Sequence, residues 1–172
     1  MAIDEEESVA FHVRLWYAAM EAALELVRGD IGFSAAHFSI HDGRSERLHG
    51  HNYLVRLWAR GTVGQEGTVM DFAALKSVLR DLCADLDERM LVPTRSPHIT
   101  VEETAETVTL TEGSRHFVLP RGDVVLLPIV STTCECLAAH LLKDVRERLG
   151  PGDVRLTLLV EETPGQGASV SE

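Results

Sequence analysis

Cysteine and aromatic residues are scarce in this 172-residue chain: three cysteines, and 5% aromatics. Cys83, Cys134 and Cys136 are an odd number, and Cys134 and Cys136 stand too close for an ordinary disulfide. A Cys-x-Cys step without a second pair is also a weak metal pattern, so all three read as thiols in or near the core of helical segments. No basic run interleaves with aromatics and the net charge is −11, which argues against nucleic acid and anionic membrane as partners. Charge interrupts every hydrophobic run before the ~18 apolar residues of a membrane span. The acidic stretch Asp4–Glu7 is the opposite of a signal-peptide start, and the chain reads as soluble and cytoplasmic. What is present is 45% hydrophobic, enough for one domain with a substantial core.

From Ser8 to Arg28, Val9, Val13, Trp16, Met20, Ala23 and Val27 recur at steps of three and four, which predicts a helix ended by Gly29. Strands are expected at Ile31–Ile40 and Gly50–Arg60, and a helix from Phe72 to about Leu86 with Leu75, Val78, Leu79, Leu82 and Leu86 on one face. Asp71 stands where a helix N-cap would. Between Thr100 and Pro120, Val101, Val108 and Leu110 meet Phe117 and Leu119 across Glu112-Gly113-Ser114, the pattern of a β-hairpin. Val124–Val130 is a further apolar strand, and Thr132 with Glu135 forms a capping-box pattern opening a helix that ends near Gly150. The strand Val154–Glu162 puts Val154, Leu156, Leu158 and Val160 on one face, which Glu162 ends. The reading is α+β, antiparallel strands with helices on one face: an N-terminal helical extension over 1–30, then one domain over 31–172 with a hairpin inserted near 98–120.

Four of the eight histidines fall between positions 37 and 51. In His49-Gly50-His51, at the mouth of a strand, alternation points both imidazoles to one face. His37 lies near the end of the preceding strand. Two neighbouring antiparallel strands bring the three rings together, and three neutral imidazoles leave one tetrahedral position open, the catalytic form of a zinc site. Gly50 allows close backbone approach there.

The blocks FSAAHF, LHGHNYLVRL, GTVMDFAALK, LDERML, VSTTCECLA and VEETP, in order from about Gly32 to Thr163, resemble the 6-pyruvoyltetrahydropterin synthase family, which includes the 6-carboxytetrahydropterin synthases. The resemblance implies that His37, His49 and His51 hold Zn2+ and that Glu162 anchors the pterin ring, a carboxylate suiting two parallel donors. Glu161 is the competing carboxylate, and the period-two phase favours Glu162. Thr132, Thr133 and Glu135 match the segment bordering the pterin. The implied fold is an antiparallel four-stranded sheet with two helices on one face, of the tunnelling-fold type. Such subunits close edge to edge into barrels, as trimers or hexamers with active sites between subunits.

The chain departs from that family at two positions. Ser45 stands where the common members carry a cysteine base, and a hydroxyl is a poor base unaided. The Leu-Asp-His block reads Leu86-Asp87-Glu88, which keeps Asp87 as a catalytic candidate and loses the histidine. Glu46, beside the cysteine position, is the replacement base in view, and His41 is a second proton carrier. Family branches with a glutamate in this loop cleave the side chain of 7,8-dihydroneopterin triphosphate to 6-hydroxymethyl-7,8-dihydropterin. That lyase is the expected activity. A 6-pyruvoyl- or 6-carboxytetrahydropterin synthase with an unfamiliar base, and a non-catalytic pterin- or metal-binding homologue, are the alternatives.

Overall fold

A computed structural model describes residues 20–172. One long strand organises the architecture. β5 (His49–Thr62) pairs along one edge with two successive strands, β1 (Glu21–Leu26) and β2 (Gly32–His37), and along the other with β11 (Arg155–Thr163). Its fourteen residues are long enough for β2 to take Leu54 back to His49 while β1 takes Leu57 on to Thr62. The edges extend through β6 (Arg89–Pro93) and β10 (Val124–Leu127) on the β2 side and β12 (Gln166–Ser171) on the β11 side, giving seven strands. The expected four antiparallel strands are therefore exceeded, and the sheet is mixed: β6 runs parallel to β2, and β10 parallel to β6. The parallel pairings follow from long crossovers, the first of which runs through β5 and a helix.

Two helices, α1 (Phe72–Leu86) and α2 (Cys134–Leu149), pack side by side on one face, as expected. Their stripes, Leu75, Leu79, Leu82 and Leu86 from α1 and Leu137, Leu141, Leu142 and Val145 from α2, close over Phe33, Val55, Leu57, Leu156, Leu158 and Val160 of the sheet. Each such buried side chain contributes about 1.5–3 kcal/mol relative to exposure. Asp71 caps α1, accepting from the Ala73 N–H at 2.8 Å. The cap of α2 is Thr133, one residue later than the capping-box reading placed it, and Thr132 is used elsewhere. None of the helices described is long and apolar enough to cross a membrane.

The helix expected over Ser8–Arg28 is corrected where it can be compared. Glu21–Leu26 is a strand, and the rest of that segment up to residue 19, with its Val13–Trp16 face, lies outside the described residues. The stretch EAALEL carries good helix formers, yet it also alternates, with Leu24 and Leu26 turned inward. The open edge of β5 offers six backbone partners, and pairing overrides local propensity. The 1–30 extension is thus not wholly helical, since its last strand belongs to the sheet.

The inserted segment is a separate three-stranded sheet, β7 (Thr100–Glu103), β8 (Thr107–Glu112) and β9 (Arg115–Pro120). The expected hairpin is present, with Val108 facing Leu119 and Leu110 facing Phe117 across it, and Val101 on a third strand that pairs with β8. Phe38, Met90, Val92, Val108, Leu110 and Val124 make a second small core that fastens this sheet to the main one.

Candidate metal centre

In the β2–β5 ladder His37 lies directly opposite His49, and Ala35 opposite His51. Alternation brings His37, His49, His51 and Tyr53 out on the same side. The ring centroids of His37 stand 4.5 Å from His49 and 5.1 Å from His51, and those of His49 and His51 are 4.9 Å apart. One ligand atom from each lies within 4.8 Å of the others. Gly50 relieves the crossing, because a Cβ there would come a tight 3.0 Å from the Ala35 carbonyl oxygen.

The hydrogen bonds behind the rings set their tautomers. His37 Nδ1 donates to the Thr132 carbonyl at 3.1 Å, and His49 Nδ1 donates to the Arg47 carbonyl at 2.7 Å. A carbonyl only accepts, so both rings leave Nε2 as a lone-pair donor. His37 is 1% exposed, and its Nε2 has no partner among the described residues. Burial, followed by the neighbouring His49, lowers its pKa and favours the neutral, ligating form. A buried imidazole with an orphaned lone pair, two more rings within reach and carbonyls holding the Nδ1 atoms of His37 and His49 is a donor set that fits a divalent metal of the zinc type.

Beside the rings stands Glu162, whose Oε2 is 4.0 Å from His51 Nε2 and accepts from the Cys134 thiol at 3.6 Å. Burial and the Glu162 carboxylate push that thiol up to about 12, so it stays protonated. Glu161 leans away to Arg56 at 3.1 Å and accepts from the Gly165 N–H. Of the two carboxylates it is Glu162 that the period-two phase carries toward the rings.

The other predicted residues are spread around this centre. Thr132 is buried; its carbonyl meets the His37 ring, and its hydroxyl donates to the carbonyl of the next residue, Phe38, at 2.8 Å. Thr133 caps α2, and Glu135 is exposed in the first turn. Asp87 is tied to the β2 backbone outside the histidine cluster, its Oδ1 accepting from the Ser34 N–H at 2.7 Å. Glu88, at φ 55°, donates its own N–H to the Ser34 carbonyl. Glu46 is exposed on the loop between β4 (Arg44–Ser45) and β5. Its backbone N–H donates to the Ser39 carbonyl at 3.0 Å. His41 is exposed beside Asp42 in the tight turn joining β3 (Ile40–His41) to β4.

Three neighbours escaped the sequence reading. Tyr53, whose buried hydroxyl also lacks a partner among the described residues, sits 5.7 Å from both His37 and His51 by ring centroid. Its position two residues after His51 was the signal. Glu112 and Arg115 reach Ser45 from the inserted hairpin across 67 and 70 positions, and no local pattern announces such a contact.

Three histidines in register on two strands, with a carboxylate alongside and two helices on one face of a mixed sheet, make an α+β centre that could hold a metal ion. Residues 27–172 match the family described as 6-pyruvoyl tetrahydropterin synthase, and the chain belongs to it. A Methanocaldococcus jannaschii protein provisionally named 6-carboxy-5,6,7,8-tetrahydropterin synthase is 29% identical over 154 residues, covering 87% of this chain and 94% of its own. The crystal structure of 6-pyruvoyl tetrahydropterin synthase from Plasmodium vivax superposes with a TM-score of 0.85 at 29% identity, covering 89% of this chain and 98% of its own. The Plasmodium falciparum enzyme gives 0.84 at 28% identity, covering 88% and 98%. Variants of the P. vivax protein have been solved in which a glutamate, described as a catalytic residue, is replaced by alanine or by cysteine.

Proposed function

We propose that this pterin-family enzyme is a zinc-dependent lyase that cleaves the side chain of 7,8-dihydroneopterin triphosphate to 6-hydroxymethyl-7,8-dihydropterin, with Glu46 as the base. The observation that carries the choice of base is the state of Ser45. Its hydroxyl donates to Glu112 and receives Arg115, so it is committed to structure. Glu46, next along, presents an exposed carboxylate from a loop whose backbone is held, three residues before a metal ligand. The catalytic glutamate named for the P. vivax protein supports a carboxylate in this role.

In this reading His37, His49 and His51 hold the zinc, which when bound supplies Lewis acidity toward an oxygen of the substrate side chain. Glu162 accepts hydrogen bonds from the guanidine-like edge of the pterin, and Cys134 steadies its Oε2. Glu46 takes the proton of a side-chain hydroxyl as the carbon–carbon bond breaks. Thr132, Thr133 and Glu135 border the ring, and Asp87 holds the edge of β2 beside the site. Among the described residues β1, β10 and β12 have an unpaired edge, which supports closure by neighbouring copies into a barrel, with sites between subunits.

The names of the archaeal relatives favour a second reading, a 6-carboxytetrahydropterin synthase. One incubation separates the two. Zinc-loaded protein is given 7,8-dihydroneopterin triphosphate and the products are identified by mass. A hydroxymethyl pterin, lost with kcat down about 100- to 10,000-fold in Glu46→Gln, is the expected result. A carboxy or pyruvoyl product would replace the lyase reading with a synthase.

A further inference from the structure

We infer that the inserted hairpin is a clamp that positions the base-carrying loop, with Glu112 and Arg115 as its positioning residues. This deepens the lyase reading and rests on it for the role of Glu46. The two residues face each other across the tight β8–β9 turn, Glu112 opposite Arg115 with Gly113 at φ 57° between them. Both reach the same peptide. Glu112 Oε1 accepts the Ser45 N–H at 2.6 Å, and Glu112 Oε2 accepts the Ser45 hydroxyl. Arg115 Nη1 donates to the Ser45 carbonyl at 2.9 Å and to the Ser45 hydroxyl, and lies 3.2 Å from Glu112 Oε2. Arg115 Nη2 donates to the Glu46 carbonyl at 3.1 Å. Every polar group of Ser45, and the carbonyl of Glu46, is therefore held from the hairpin.

A clamp must itself be fixed, and this one is. The Arg115 guanidinium lies over the Phe117 ring at 5.3 Å, and Phe117 stacks on Phe38 at 5.9 Å. Phe38 follows the ligand His37 and is 1% exposed in the second core with Val108 and Leu110. The hairpin is thus braced against the strand that carries the metal ligand, while its tip grips the loop that carries the base. The loop's own ties are short-range: β3 and β4 are two residues each, joined through Asp42 and Gly43 at φ 49° and 75°, and the Glu46 N–H donates to the Ser39 carbonyl. A planar fork that meets two successive carbonyls is a task for arginine, since lysine offers a single point of charge. An ångström of misplacement at a reacting group can cost 100-fold in rate.

The test compares wild type, R115A, R115K, E112A and R121A, the last removing a guanidinium paired with Glu103 on the same small sheet. Amide hydrogen exchange at residues 44–47, zinc content and steady-state turnover of 7,8-dihydroneopterin triphosphate are read in each. R115A is expected to speed exchange at Ser45 and Glu46, keep its zinc, and lower kcat about 10- to 100-fold with KM little changed. R115K falls between, and R121A matches wild type. Wild-type exchange at 44–47 both in R115A and in E112A, which removes the acceptor of the Ser45 N–H, overturns the clamp, whatever the turnover shows. So does loss of zinc and of the thermal transition in both R115A and R115K, which assigns Arg115 to maintaining the fold. If Glu46→Gln turns over normally, the base reading fails while the exchange result still decides the clamp.

Discussion

The two sides of the centre are built by different means. The metal side is a ladder: His37, His49 and His51 are placed by the register of β2 on β5, and backbone hydrogen bonds set their spacing. The other side, which carries the proposed base, is a short loop between Ser39 and Leu48, and side chains from a distant hairpin hold it. A ladder cannot shift by one residue without turning its imidazoles to the other face, so it fixes chemistry firmly. A loop gripped by two side chains can be re-aimed by changing those side chains alone. That contrast fits the proposed reading, in which the three histidines of the ladder hold the metal while Ser45 and Glu88 stand where the family resemblance implies a cysteine and a histidine.

The largest expected effect strikes the ladder side. His49→Ala removes a ligand from an exposed position and leaves the strand pairing intact, so the fold should persist while zinc affinity falls by more than about 100-fold, beyond what loss of a ligand's outer partner costs. Metal analysis of the purified variant checks this, and undiminished zinc would break the ligand assignment. Thr132→Val should come next. It leaves the Phe38 carbonyl without its buried donor, costing about 1–3 kcal/mol, visible as a thermal midpoint several degrees lower. An unchanged midpoint would show that the segment behind His37 is less tightly built than the ladder in front of it.

The smallest effect belongs to the clamp. The Ser45 hydroxyl and N–H, together with Arg115, hold the Glu112 carboxyl below its ordinary value of 4.5. A depressed folded pKa adds stability above the unfolded value and loses it as pH falls through the folded one. The urea-stability gap between wild type and Glu112→Gln should therefore be widest near neutral pH, at under about 1 kcal/mol, and close under acid conditions. A gap that widens on acidification would show that the carboxylate form is not what the loop prefers.

The elements nearest the centre were legible locally because their patterns are local. Alternation through β5 and β11, the leucine stripe of α1 and the Val108–Leu119 register all appear in windows of a dozen residues. The misreadings share a cause: the deciding partner lay far away. Glu21–Leu26 is a strand because β5 had an edge to offer, and α2 is capped by Thr133 because Thr132 is drawn to Phe38 across 94 positions.

The amino-acid order alone determined the three imidazoles on one face, the family blocks around them, and serine and glutamate at positions 45 and 88. Each is a matter of residue identity and short-range period, which no tertiary contact alters. The tertiary structure alone decided that the sheet has seven strands with two parallel pairings, and that His37 presents Nε2 because Nδ1 is taken by Thr132. It also decided that Ser45 is bound to Glu112 and Arg115. Those outcomes depend on which groups meet across the fold, and hydrogen-bond partners separated by 67 to 95 residues leave no periodic trace in the chain.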